Sequence, residues 1–413
     1  MTPQQLLPTA SPARRREPGA PAQTAGAIVI GSDYRALAVV RSLGRRGIPV
    51  WVLAGGDDVL AARSRYARTV AFAGDTDRER CESLFRLADA HHLDGWALFP
   101  SADETAAFVS RAHDDLQARF VLTTPPWQVL RWAYDKRLTE RLGRALDIPQ
   151  PRTWSAASAD AAASLDVDFP VVVKPAIKEE LNRLTAAKAW RADDRDELRR
   201  RYAEAADLVD PSVLMIQELI PGNGETQFSY AALCDRGRPL ATVVARRTRQ
   251  YPADFGRAST YVETVEQPDV IEPSERLLGE IGFTGLVEVE FKRDPRDGAL
   301  KLLDINPRVW GWHSLCQRAG VDFPYLAWRL ARSEPVPATR SQIGVRWLRL
   351  STDLPTSVRE MVGGRLPVQT YLRSLGGPRE SAIFARDDPR PGLTEFPMLI
   401  GTLFRRLRHG DAV

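Results

Sequence analysis

At 413 residues, 44% apolar and 27% charged, the chain is long enough for two or three packed units, and its longest apolar runs fall short of a bilayer span. Its 57 Lys and Arg stand against 53 Asp and Glu, a formal net charge of +4 without clustered excess, which argues against a general nucleic-acid binder. Cys81, Cys234 and Cys316 lie far apart, without CxxC or metal-ligand spacing, and read as buried, reduced thiols of a cytoplasmic protein.

Residues 1–24 are rich in Pro, Ala and Gln, with their arginines after the only weakly apolar stretch. That is the wrong order for a secretory signal, and the segment reads as a disordered tail. In "GAIVIGSDYRALAVVRSLGRRGIPVWVLAG" an apolar strand, Ala27 to Ile30, meets a glycine turn at Gly31. A helical pattern through Val39, Val40 and Leu43 and a second strand at Val50 to Leu53 follow. This βαβ opening places a Rossmann-like α/β unit at residues 25–130. It has one glycine where a dinucleotide fingerprint needs three, so an NAD-dependent oxidoreductase is a distant alternative. "WALFPSADETAAFVSRA" repeats the strand, turn, helix order and sets Ser101, Asp103 and Glu104 at a strand exit, as ligand contacts or as helix caps.

A helix from about Lys136 to Leu146 ends before Ile148 to Pro151, where two prolines force extended chain, and a boundary falls near residue 130. Beyond it come the strand "FPVVVKPA", a helix from Arg195 to Ala206 and the strand "VLMIQELIPG". A hairpin turning at Asp235 to Gly237, a helix from Pro273 to Ile281 and two strands around "DPRDG" complete the series. That order is α+β with a mostly antiparallel sheet over 131–335, with a smaller subdomain at about 150–215. Signals weaken after residue 335. Residues 336–413 read as an extension packing on this unit, and the basic amphipathic end "FPMLIGTLFRRLRH" as a helix on its own domain or at a membrane surface.

The chemistry concentrates at residues 286–308. Alternation in "LVEVEFK" puts Glu288, Glu290 and Lys292 on one strand face, and in "ALKLLDIN" it puts Leu302, Asp304 and Asn306 on one face. If the loop pivots about Asp297, Glu290 lies opposite Asp304 and Glu288 opposite Asn306; burial of the other face selects that parity. Facing carboxylates repel unless a cation separates them, and oxygen-only ligands suit Mg²⁺ or Mn²⁺. Asn306 adds a neutral oxygen, Pro307 ends the strand, and Arg308 offers a planar donor fork for phosphate. Lys174, on a buried strand, and Lys136 need anionic partners. Glu218 and Glu225 flank a strand end at Pro221. Arg247 and Arg249 share a strand face ahead of a glycine-containing loop, suited to a substrate carboxylate or phosphate, with Trp310 and Trp312 as walls. The bland alternative is a solvated acidic face beside surface cations and core tryptophans.

In order, "YDK", "VVVKPA", "IQELIPG", "GLVEVEFK" and "LLDINPR" resemble the ATP-grasp superfamily, most closely its carboxylate-amine ligase-like, carbamoyl-phosphate synthase large-subunit-like members. The resemblance implies an ATP-grasp fold behind an N-terminal Rossmann-like preATP-grasp domain. It makes Lys136 and Lys174 contacts to ATP phosphates, Gln217, Glu218, Leu219 and Ile220 the adenine hinge, and Glu225 the ribose ligand. Glu290, Asp304 and Asn306 become ligands of Mg²⁺ or Mn²⁺. Arg308 steadies the transferred phosphoryl or acyl phosphate, with Lys174 and Arg249 beside it.

Two departures stand out: Asp304 replaces the family's usual Glu, and "AIKEELNRLTAAKAWR" lacks the glycine-rich phosphate loop, leaving Lys178, Arg183 or Lys188 to cover the phosphates. The activity implied is an ATP-dependent ligase joining a small-molecule carboxylate to an amine through an acyl phosphate, with a homodimer as an admissible assembly. The alternatives are a non-catalytic nucleotide-binding protein on this fold and a carboxylate kinase.

Overall fold

A computed structural model describes residues 25–55, 59–177, 182–251 and 258–395; the N-terminal tail, Lys178 and the basic C-terminal stretch lie outside them. Three sheets organise the chain. Strands β1 (Ala27–Ile30), β2 (Val50–Ala54), β3 (Ala67–Ala71), β4 (Ala97–Pro100) and β5 (Val121–Leu122) form a parallel sheet in the order β3-β2-β1-β4-β5. Parallel neighbours need crossovers, and the helices Tyr34–Gly44 and Asp77–His91 supply two of them. Period-two alternation sends Ala27 and Val29 into one core and Ile28 and Ile30 into another, which is why the strand is apolar throughout.

Strands β6 (Thr153–Trp154), β7 (Val171–Pro175), β8 (Trp190–Ala192) and β9 (Leu214–Glu218) make a small antiparallel sheet, β6-β9-β7-β8. Its apolar side packs Val171, Val173 and Ile216 against Leu198 and Tyr202 of the helix Arg195–Ala206. The third sheet holds β10 (Gln227–Asp235), β11 (Arg238–Tyr251), β12 (Ala258–Thr264), β13 (Gly285–Arg293), β14 (Leu300–Asn306), β15 (Arg346–Leu348) and β16 (Arg379–Ser381). Their order is β14-β13-β10-β11-β12-β15-β16. The β10–β11 hairpin turns on Arg236 and Gly237, both at positive φ (49° and 81°), the backbone a two-residue turn requires.

One face of this large sheet is apolar along its length: Val287, Val289, Phe291, Leu302 and Ile305 pack on the helix Ile271–Glu280. The other face changes character midway. Leu286, Leu233 and Ala231 join the core shared with the first sheet, whereas Glu288, Glu290, Lys292, Ser229 and Gln227 continue the same rows as polar residues. The polar half of this face thus continues the rows of a core face.

The β13–β14 register has Glu290 opposite Asp304 and Glu288 opposite Asn306, as alternation and burial predict. The pivot differs. From the tip inward the strands pair Arg293 with Leu300, Lys292 with Lys301 and Phe291 with Leu302, and a bulge at Leu303 restores the expected pairs. This corrects the expectation that Leu302 shares a face with Asp304: Leu302 enters the apolar core and Leu303 lines a cavity instead.

The three cysteines are buried thiols, as composition suggested. The segment after residue 335 holds more structure than its weak patterning suggested. Strand β15 pairs with β12, and fully buried Asp388 accepts from Arg41 Nε (3.0 Å), Ser64 Oγ (2.8 Å) and the Arg65 amide (2.9 Å). Arg45 grips the neighbouring Asp387 with two bonds of 2.8 Å. Among the described residues no helix is long and apolar enough to cross a membrane.

Candidate active site

The β13–β14 hairpin delivers Glu290 and Asp304, 3% and 7% exposed, to one point. Two like unit charges about 4 Å apart repel by roughly 4 kcal/mol at an effective dielectric of about 20, so carboxylates set opposite each other on paired strands call for counter-charge. That repulsion explains the cations drawn to them. Arg247 Nη2 donates to Glu290 Oε1 at 2.7 Å, and Gln227 Nε2 to Glu290 Oε2 at 2.9 Å. Lys136 Nζ donates to Asp304 Oδ1 at 3.0 Å, while Lys188 Nζ stands 3.9 Å from Asp304 Oδ2. Asn306 Nδ2 bridges Glu288 Oε2 (3.0 Å) and Glu290 Oε1 (3.1 Å), and its Oδ1 accepts from Arg308 Nη2 at 3.1 Å.

Burial and the nearby Glu290 charge push the Glu288 carboxyl up to about 7, although Trp312 Nε1 donates to it at 2.8 Å. Burial acts upward on Glu290 too, but Arg247 and Lys188 outweigh it and hold that carboxyl below the usual range. Lys136 shows the converse: burial would lower its pKa, and Asp304 more than offsets this.

Lys136 begins the helix Lys136–Ala145, capped by Asp135, which fixes its stem beside β14. Lys188 follows the short helix Arg183–Ala187 at φ 75°, a left-handed backbone uncommon for a side chain of this size. Arg308, just past β14, forks onto Asp103 at 2.7 and 3.1 Å. Asp103 therefore neither caps its helix nor faces open solvent. It joins the strand exit of the first sheet to the hairpin of the third.

Two cavities meet here. The larger, about 630 Å³, is lined by Tyr34, Asp103, Arg247, Glu288, Arg308 and Arg349 among others. The smaller, about 100 Å³, runs along β9 past Lys174 and Gln217 to Ile220. Lys188, Glu290 and Asp304 line both. Lys174 Nζ donates to Gln217 Oε1 at 2.7 Å, across the β7–β9 pair. Glu218 also lines this cavity, and its carboxylate is held by Arg296 of the hairpin tip (2.6 Å) and the Arg152 amide (3.0 Å).

Three expected residues stand elsewhere. Arg249 lies beyond a strand irregularity that separates it from Arg247, and it grips buried Asp353 through Nε and Nη2 at 2.8 Å each while stacking 4.1 Å over Tyr261. This corrects its placement as a substrate or catalytic contact. Trp310 is core, edge-on to Phe323 at 5.0 Å, and Trp312 alone of the pair lines the large cavity. Glu225 is exposed and lines neither cavity. Tyr34, Arg35 and Arg349 line the large cavity without having been anticipated. Only the strand-exit position of Tyr34 and Arg35 hinted at it.

The donor set is two carboxylates and an amide oxygen; among the described residues no three His, Cys, Asp or Glu side chains converge as a dedicated cage. Hard oxygens on one partly open face suit Mg²⁺, which commonly takes one or two protein carboxylates and completes its octahedron with phosphate and water. The lysines now neutralising Asp304 have flexible stems that let them turn to phosphate when a cation takes their place.

A family model described as "ATP-grasp in the biosynthetic pathway with Ter operon" matches residues 210–350. A D-aspartate ligase of Enterococcus faecium is 23% identical over 300 residues, 68% of this chain and 70% of that protein. The C-terminal section of the carbamoyl phosphate synthase large chain of Methanopyrus kandleri is 25% identical over 46% of this chain and 35% of its own length. Among solved structures, an L-amino acid ligase from Bacillus licheniformis superposes with a TM-score of 0.57 at 15% identity, covering 75% of each chain.

Proposed function

We propose that this ATP-grasp protein is an ATP-dependent ligase that joins a small-molecule carboxylate to an amine, through an acyl phosphate, releasing ADP and phosphate. The observation that carries the reading is the shared wall: Lys188, Glu290 and Asp304 face both cavities. A nucleotide lying along β9 would bring its terminal phosphate to that wall, with its acceptor in the larger cavity. The relatives named as ligases of aspartate and of amino acids support the same chemistry.

In the proposed sequence a carboxylate oxygen attacks the γ-phosphorus and the bond to ADP breaks. The amine then attacks the acyl carbon, phosphate leaves with the C–O electron pair, and the nitrogen's proton passes to cavity water. Little covalent work falls to the protein, whose task is positioning and charge neutralisation. The Gln217–Ile220 edge receives the adenine, and Lys174, Lys136 and Lys188 meet the phosphates. Glu290, Asp304 and Asn306 would hold Mg²⁺, which when bound offsets phosphate charge that the lysines alone leave uncompensated. Arg308, released from Asp103, stabilises the transferred phosphoryl and the developing oxyanion.

The NAD alternative finds no support at the first sheet. Positive-φ Gly31 accommodates the Ser101 hydroxyl, which would lie 2.2 Å from a Cβ there, leaving that turn filled.

Pairwise screening of acids and amines for ADP release tests the proposal. The expected result is release that requires both substrates. Release indifferent to the amine would make the protein a carboxylate kinase, and failure to bind ATP would end both readings.

A further inference from the structure

Resting on the ligase reading, we propose that Arg349, supplied by the C-terminal extension, is the receptor for a non-reacting carboxylate on a substrate. The extension would then set specificity for amino-acid-like compounds. Six cations line the large cavity: Arg35, Lys136, Lys188, Arg247, Arg308 and Arg349. Arg35, Lys136, Arg247 and Arg308 already hydrogen-bond carboxylates, of Asp33, Asp304, Glu290 and Asp103, at 2.5 to 3.0 Å. Lys188 stands at the metal end. Arg349 is different. Its nearest acid among the described residues, Glu395, pairs with Nε at 3.6 Å, beyond hydrogen-bond length, and that Nε is buried without a hydrogen-bond partner.

The guanidinium is nevertheless held in place. It lies 4.2 Å over the Tyr34 ring, a cation–π contact that orients the guanidinium plane in a residue lining the cavity. Tyr34 in turn has its hydroxyl where residue 311 has no side chain: a Cβ on Gly311 would come within 2.7 Å of it. The tyrosine thus spans the distance between Arg349 and the Pro307–Trp312 end of the reacting site. Behind Arg349, the first turn of the helix Leu350–Val362 is pinned. The Asp353 amide donates to the Arg349 carbonyl at 2.8 Å, and the Asp353 carboxylate is locked by Arg249 and by Thr260 Oγ1 at 2.8 Å. Arg249 is therefore a positioning residue for this turn. A planar fork whose one nearby acid, Glu395, is too far to hydrogen-bond, fixed beyond the reacting centre, fits one carboxylate better than a phosphate dianion, which ordinarily gathers several cations.

The test is calorimetric titration of the protein loaded with Mg²⁺ and a non-hydrolysable ATP analogue, using both enantiomers of aspartate, glutamate and alanine and their α-carboxamides. The expected result is that the parent binds at least one free acid about tenfold or more tighter than its amide. Arg349→Gln should weaken that acid by about 10- to 100-fold while leaving amide and nucleotide affinities in place. Arg349→Lys keeps the charge but loses the fork, should fall between, and decides the matter if the Gln variant does not fold. Equal binding of acids and amides by the parent, retention of the preference in the variants, or no binding by any member of the panel overturns the proposal. An acid preference that needs Arg349 in a protein forming no ADP with any substrate pair would sink the ligase reading and leave the receptor standing. ADP formation with unchanged preference in Arg349→Gln would do the reverse.

Discussion

Asp388 and Asp304 are both buried acids met by cations from distant parts of the chain, yet they are built for opposite ends. Asp388 is sealed by a guanidinium, a hydroxyl and a backbone amide, and borders neither cavity. Asp304 is met by the flexible stems of Lys136 and Lys188 at the junction of two cavities. A sealed acid holds two segments together. An acid met by lysine stems beside open space can exchange partners, and that is what separates a rivet from a site.

The largest effect expected from breaking this contrast is on the site side. Asp304→Asn keeps shape and removes charge, so ADP formation should fall by about a thousandfold or more, with melting little changed because a repulsion disappears along with the Lys136 pair. Near-parental turnover would remove Asp304 from the chemistry. Asp388→Asn is the mirror image. It leaves Arg41 buried without its counter-charge and should cost about 3 kcal/mol of stability, read from denaturant unfolding, while turnover per folded molecule stays unchanged. A loss of activity without a loss of stability there would erase the distinction. Lys188→Ala should cost roughly 30-fold in ADP formation, mostly through the KM for ATP, without moving the melting point; an unchanged KM would take Lys188 off the phosphates.

The smallest effect concerns Glu380 on β16, whose carboxyl burial pushes up to about 7 against the pull of Arg45 and Arg41. In the unfolded chain this acid ionises near its ordinary 4.5, so between 4.5 and 7 the fold retains a proton the unfolded chain has lost. Stability contributed by this group is therefore full below that window and falls as pH rises through it. Glu380→Gln should be more stable than the parent by about 1 kcal/mol at pH 8, the difference shrinking toward pH 5. A difference that does not change with pH would locate the proton elsewhere.

What was legible in the sequence divides along the same line. Glu290 opposite Asp304 could be inferred because burial of Val287, Val289 and Phe291 allows one parity only. Strict alternation failed wherever a strand carried an irregularity. At Leu303 it misassigned Leu302, and between Arg246 and Arg249 it put Arg249 on the face of Arg247. The Asp388 clasp and the Arg249–Asp353 pair join residues up to 347 positions apart, with no local pattern to announce them. Trp310 and Trp312 have the same chemistry two residues apart, and only packing shows which one meets the cavity.

The bulge at Leu303 carries a consequence for tolerated change. Lengthening or shortening the exposed tip between Asp294 and Gly298 alters only where the ribbon closes, and deleting the single extra residue at 303 would set Asp304 directly after Leu302, still opposite Glu290, so that the acids keep their face while the strand loses its kink. Homologues should therefore vary in the length of that tip, with or without the extra residue, while keeping the alternation through Asp304, Ile305 and Asn306 that decides which side chains meet the cavity, a pattern that sequence comparison can read without any coordinates.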